Sequence, residues 1–116
     1  MNESIQLLNK LLDASALRQR VLADNLANAD TPRFKRRDVE FREILAKAVD
    51  SADARELSVV QPKIVVDTAA PVRPDGNSVS MQRELGEMTE NSLLYQFATR
   101  AVSRKYGTLR KAIKGQ

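Results

Sequence analysis

The sequence predicts a mostly α protein, with long N- and C-terminal helices that each carry a heptad seam and, between them, a short helix and an irregular or small β segment. Three observations carry this reading. Apolar or small residues recur in an unbroken alternation of four and three from Met81 to Ile113, a second such row runs from Ile5 to Ala29, and the helical period vanishes between Asp50 and Ser80. A helix with this spacing buries one narrow stripe against a partner helix. The chain divides accordingly into residues 1–32 (N-terminal core helix), 33–50 (extended basic stretch and short helix), 51–79 (irregular, mobile centre) and 80–116 (C-terminal core helix).

Asn2 or Ser4 can cap the first helix, whose seam reads Ile5, Leu8, Leu12, Ser15, Gln19, Leu22, Leu26 and Ala29. A second row, Leu7, Leu11, Ala14 and Val21, lies about 100° around the wheel. Asn28 and Pro32 stop the helix, because a residue before proline disfavours α geometry and asparagine is a frequent C-cap. Arg33, Phe34, Lys35, Arg36 and Arg37 then run extended, as a contact to an acidic neighbour or as a solvated loop. Asp38 can cap a short helix carrying Val39, Phe41, Ile44, Leu45, Ala48 and Val49. Val59-Val60 and Ile64-Val65-Val66, split by Pro62, can pair as a small hairpin.

Pro71, Pro74, Asp75, Gly76 and Asn77 mark a turn, after which Ser80 is placed to cap the last helix. Its seam is Met81, Leu85, Met88, Ser92, Tyr95, Thr99, Val102, Tyr106, Leu109 and Ile113, with Leu93, Leu94, Phe97, Ala98 and Ala101 off the main stripe. A two-helix hairpin covers one stripe per helix, so the second rows need either a compact three-helix fold or burial against other subunits.

Composition excludes much chemistry. With no Cys and no His there are no disulfides, thiolate sites or histidine bases, and the four glycines are scattered rather than gathered in a phosphate loop. Glu84, Glu87 and Glu90 read as a solvated helix face, and no serine or threonine has a base beside it, so neither an enzyme nor a cofactor is expected. No run of about 18 apolar residues crosses a bilayer, and the N-terminus lacks the order of a cleaved signal. The net charge of +4 gathers at Arg33–Arg37 and Arg100–Lys114 without any nucleic-acid motif, so nucleic acid is not an expected partner.

Two stretches go beyond periodicity. Leu22-Ala23-Asp24-Asn25-Leu26-Ala27-Asn28-Ala29-Asp30-Thr31-Pro32-Arg33-Phe34 resembles the N-terminal signature of the bacterial flagellar axial proteins of rod and hook, where Gly-Tyr usually stands in place of Arg33-Phe34. Arg73-Pro74-Asp75-Gly76-Asn77-Ser78-Val79 leading into Glu84, then Glu90 to Gln96 and Leu109 to Gly115, resembles the proximal basal-body rod subtype.

The resemblance implies an antiparallel coiled coil of the two terminal helices, stacked helically into a tube. It also implies export through the flagellar type III apparatus into the periplasmic rod. Partners would be further copies, other proximal rod proteins, the rod-base adaptor, the inner-membrane ring and the export gate. On this reading Ile5, Leu8, Leu12, Leu22 and Leu26 pair within the chain with Leu85, Met88, Tyr95, Val102, Tyr106, Leu109 and Ile113. Leu7, Leu11, Val21, Asn25, Asn28, Thr31, Pro32, Phe34, Leu93, Leu94, Phe97 and Ala101 are then expected at subunit interfaces. The rival readings are a helical adaptor that docks one partner in a finite complex and a basic nucleic-acid module whose affinity falls with salt.

Overall fold

The computed structural model describes residues 2–42, 46 and 61–115, the first three of these as backbone only. Helix α1 spans Asn2–Ala27, strand β1 Arg37–Glu40, strand β2 Lys63–Val66 and helix α2 Met81–Lys114. The two helices pack along each other and β1 lies against α1. Asn25 reaches Glu84 near the start of α2, while Ser15 and Gln19 meet Asn91 farther along it, so the helices run antiparallel. Thirteen residues of α1 precede Ser15 and twenty-three of α2 follow Asn91, so α2 runs past α1 by about ten residues, roughly 15 Å.

Ser80 caps α2 as expected, its hydroxyl accepting from the Arg83 N–H at 3.4 Å. Gly115 ends the helix in the left-handed conformation at φ 72°, where its N–H reaches the Ala112 carbonyl.

The row of α2 that faces α1 is not the one its apolar spacing suggested. Glu84, Asn91 and Ala98 are buried, with Glu87, Leu94 and Ala101 half-buried between them, which is again an alternation of three and four. Each lies one residue before its counterpart in the expected seam, a rotation of about 100°. Leu85, Tyr95, Tyr106 and Ile113 consequently stand exposed, while Met88, Val102 and Leu109 sit half-buried at the edge. The physical reason is that polar groups set the register. Asn91 donates to the Ser15 carbonyl and to Gln19 Oε1, both at 2.8 Å, a device that fixes alignment at a cost in apolar burial.

On α1, Ile5, Ser15 and Leu22 of the expected seam are buried, with Leu8, Leu12 and Leu26 half-buried, and Ala29 is buried in the turn just past the helix end. Ala14 and Val21 of the second row are buried within the chain as well, because this helix packs against both α2 and β1.

Between the helices, residues 37–40 form a strand where a helix capped by Asp38 was expected. β1 pairs antiparallel with β2 in the register Arg37–Val66, Asp38–Val65, Val39–Ile64 and Glu40–Lys63. The β-branched run 64–66 thus finds a distant partner, and pairing with it overrides local helical preference. Ile44, Leu45, Ala48 and Val49 of the expected helix, and Val59-Val60 of the expected hairpin, lie outside the described residues.

Two turns then lock together. Thr31 to Phe34 close one, with the Phe34 N–H donating to the Thr31 carbonyl, Pro32 second and Arg33 third at φ 65°. That is the third-position geometry of a type II turn, which ordinarily takes glycine. Gly76 at φ 85° belongs to the facing turn, where an added Cβ would stand 3.0 Å from Arg33 Cγ and 3.2 Å from its Cα. The Arg33 N–H donates to the Asp75 carbonyl at 2.9 Å, and Ser78 N–H to the Phe34 carbonyl at 3.0 Å.

Opposite signs are therefore expected for two substitutions. Gly76→Ala should destabilise by about 1–3 kcal/mol through positive φ and crowding. Arg33→Gly should stabilise by about 0.5–1 kcal/mol, because releasing a left-handed residue outweighs the added chain entropy. Urea unfolding followed by circular dichroism reads both, and a stabilised Gly76→Ala would refute the turn geometry.

Candidate assembly interface

The polar centre of the molecule forms where α1 ends. Asn25, wholly buried, uses its side-chain amide as a strand would use its backbone. Its Nδ2 donates to the Arg37 carbonyl at 2.7 Å and its Oδ1 accepts the Arg37 N–H at 2.9 Å, and Nδ2 also reaches Glu84 Oε2 at 3.1 Å. Asn28 closes the helix end, donating through Nδ2 to the Asp24 carbonyl at 2.9 Å and accepting from the Thr31 hydroxyl at 3.1 Å. Asn77 then donates to the carbonyls of Asn28 (2.9 Å) and Thr31 (2.7 Å), and the Arg73 guanidinium reaches the carbonyls of Ala29 and Val79. Helix-end acceptors without intrahelical partners are satisfied in this way. The two sequence signatures are therefore each other's contact within one chain.

Beneath this clasp lies Arg36, which is fully buried. Its Nε donates to Glu84 Oε1 at 2.6 Å, Nη1 to Asp67 Oδ2 at 2.7 Å and Nη2 to Glu87 Oε2 at 2.9 Å, while Asp38 Oδ2 lies 3.5 Å from Nη2. Glu84 has 0% side-chain exposure, so this is a desolvated ion pair, unlike the solvated face its spacing suggested. Arg18 adds a bond to Asp38 at 2.8 Å, and Arg83 pairs with both Asp67 and Glu87.

Burial pushes the Arg36 guanidinium down, but its bonds to Glu84 and Asp67 outweigh that and hold it above its ordinary range. Burial likewise pushes the Asp38 carboxyl up. The Arg18 hydrogen bond, the Val39 N–H and the charges of Arg18 and Arg36 together hold it below its usual value. Asp67 is also lowered, burial being outweighed by Arg36, the Ala69 N–H and Arg83.

A different chemistry covers the outside of α2. Leu93 and Phe97 are 62% and 65% exposed, and Ile113 78%, with Leu85, Tyr95 and Tyr106 also open to solvent. Among the described residues no group of His, Cys, Asp and Glu could hold a metal ion, and no helix is long and apolar enough to cross a membrane.

A family model for the flagella basal body rod protein matches residues 12–35, the helix and turn of the clasp. The flagellar basal body rod protein FlgB of Aeromonas hydrophila is 34% identical over 90% of this chain and 88% of its own length. FlgB of Aquifex aeolicus is 33% identical over 97% and 94%, and that of Escherichia coli K12 30% over 89% and 87%. The chain belongs to the FlgB family of flagellar basal-body rod proteins.

Membership of the FlgB family makes the chain a structural protein of the flagellar basal body and not an enzyme. Against that identity, the expected interface residues divide. Asn25 and Val21 are buried in the chain, and Leu94 and Ala101 are half-buried on the row facing α1, with Ala101 also lining a surface cavity beside Leu93 and Phe97. Leu7, Leu11, Asn28 and Phe34 are half-buried, while Thr31, Pro32, Leu93 and Phe97 are exposed. The Arg36 centre was missed because basic runs in loops are usually solvated. The usable signal was Glu84, seven residues ahead of Asn91 on a face otherwise suited to packing.

Two outcomes follow from the buried centre. Arg36→Met should cost about 3–5 kcal/mol by stranding Glu84, and the double variant Arg36→Met, Glu84→Leu should recover most of it, as read by urea midpoints. Because Asp38 and Asp67 titrate below their unfolded value of about 3.9, their contribution is present above that pH and is lost as acid protonates them in the native state. Thermal midpoints should therefore fall steeply below about pH 4, and less so in Asp67→Asn. Equal acid slopes in the two proteins would contradict the pairing.

Proposed function

We propose that the chain polymerises as a subunit at the base of the flagellar rod, its α1–α2 hairpin stacking on further copies and on other rod proteins through the outer face of α2. The observation that carries this is the heptad row from Met81 to Ile113, in which Met81, Leu85, Tyr95, Tyr106 and Ile113 are exposed and Met88, Val102 and Leu109 half-buried, flanked by the exposed Leu93 and Phe97. A continuous seam that its own chain covers only along one edge is suited to a helix from a neighbour. Thirty-four residues of α2, about 51 Å, provide a long surface for such contacts.

The family resemblance adds the route and the neighbours. On this reading the chain leaves the cytoplasm through the flagellar type III apparatus and takes its place in the periplasmic rod. There it meets the rod-base adaptor, the inner-membrane ring and the export gate.

The test uses residues that the fold does not need. Leu93→Asp with Phe97→Asp should shift the monomer's stability by no more than about 0.5 kcal/mol, since both side chains are exposed. The same pair should abolish rod growth and swimming in cells that carry it as their sole copy. Normal motility with the double variant expressed would overturn the interface.

A further inference from the structure

The far end of α2 differs in charge from the rest of the molecule. No acidic residue follows Glu90, whereas Arg100, Arg104, Lys105, Arg110, Lys111 and Lys114 are all exposed. The apolar stripe continues through this stretch as Val102, Tyr106, Leu109 and Ile113, with Tyr106 at 45% and Ile113 at 78% exposure. In the heptad that these four define, Lys105 immediately precedes Tyr106 and Arg110 immediately follows Leu109, one on each side of the stripe. Those flanking positions form the cross-helix ion pairs that choose a coiled-coil partner.

The same positions decide against a second copy of this end. In a parallel pair Lys105 of one copy would face Arg110 of the other, and in an antiparallel pair centred on either cation that residue would face its own counterpart. Both arrangements set cation against cation. We infer that the C-terminal end of α2, from Arg100 to Lys114, is a docking site for an acidic helix of a different protein, one with apolar heptad residues flanked by Glu or Asp. This inference rests on the rod reading and deepens it, giving one end of the subunit a heterotypic contact while the remainder of the row serves copies of the chain.

The test uses the full chain and two peptides of about four heptads with identical apolar seams, one bearing Glu at the flanking positions and its twin bearing Lys. Fluorescence anisotropy should show the acidic peptide bound about tenfold more tightly than the basic one, with the preference shrinking as salt screens the pairs. Lys105→Glu with Arg110→Glu should reverse the preference. Lys105→Gln with Arg110→Gln should remove it without placing acid near the helix C-terminus. Equal binding of both peptides, or binding of neither, overturns the inference, as does sedimentation with anionic phosphatidylglycerol vesicles but not with the acidic peptide. Self-association of the same protein, followed by light scattering, is read in parallel. Its persistence without peptide preference sinks this inference alone, and its absence despite peptide preference counts against the rod reading.

Discussion

A guanidinium held out of water is the constraint from which the rest follows. Arg36 and Glu84 are the two fully buried charges among the described residues, and a charge in that position is tolerable only when it is paired and hydrogen-bonded. Every element contributes to meeting that requirement. α1 supplies Asn25 to Glu84 and Arg18 to Asp38 and Glu87, β1 supplies Asp38, the residue after β2 supplies Asp67, and α2 supplies Glu84 and Glu87. Removing any one element takes away at least one hydrogen bond or ion pair of this centre. The clasp between the Thr31–Phe34 and Arg73–Ser78 turns sits directly over this centre, with the Arg36 N–H donating to the Ser78 hydroxyl at 2.8 Å.

This arrangement explains which parts of the fold were readable in advance. Helix extents were, because a period of 3.6 is local and is signalled by caps such as Ser80 and by stops such as Pro32. The phase of α2 was not. A reader who follows apolarity selects Leu85, Tyr95 and Tyr106, yet the chain turns Glu84, Asn91 and Ala98 toward α1. Only tertiary partners identify the buried polar row: an amide for Glu84, and a carbonyl with a second amide for Asn91. β1 was hidden for the same reason, since its paired residues lie between 23 (Glu40 with Lys63) and 29 (Arg37 with Val66) positions away in sequence and half of its other edge is the side chain of Asn25. Asn25 and Val21, expected at subunit interfaces, are buried within the chain because α1 packs on two elements and not on one.

Arg33 carries a similar lesson about substitution. Its place in the signature usually belongs to glycine, and the backbone there remains left-handed at φ 65°. The turn persists because its surroundings over-determine it: Pro32 presets one dihedral, and Asp75 accepts the Arg33 N–H. The side chain has room only because residue 76 has none. Gly76 approaches Arg33 so closely that the glycine forgone on one turn is needed on the other.

The distribution of polarity is inverted relative to an ordinary helical hairpin, and the inversion has a consequence for assembly. Amide and carboxylate contacts between α1 and α2 fix alignment but add little apolar burial, so the pair is well registered and modestly driven. Much of the apolar surface of α2 remains outside, where burial at about 25 cal/mol per Å² is gained only when a neighbour arrives. Association and stability are then linked, because whatever covers the outer row also favours the folded hairpin over the unfolded chain. In the proposed assembly, polar specificity is spent inside the subunit and apolar affinity between subunits, with the flanking cations Lys105 and Arg110 deciding which helix the last turns of α2 admit.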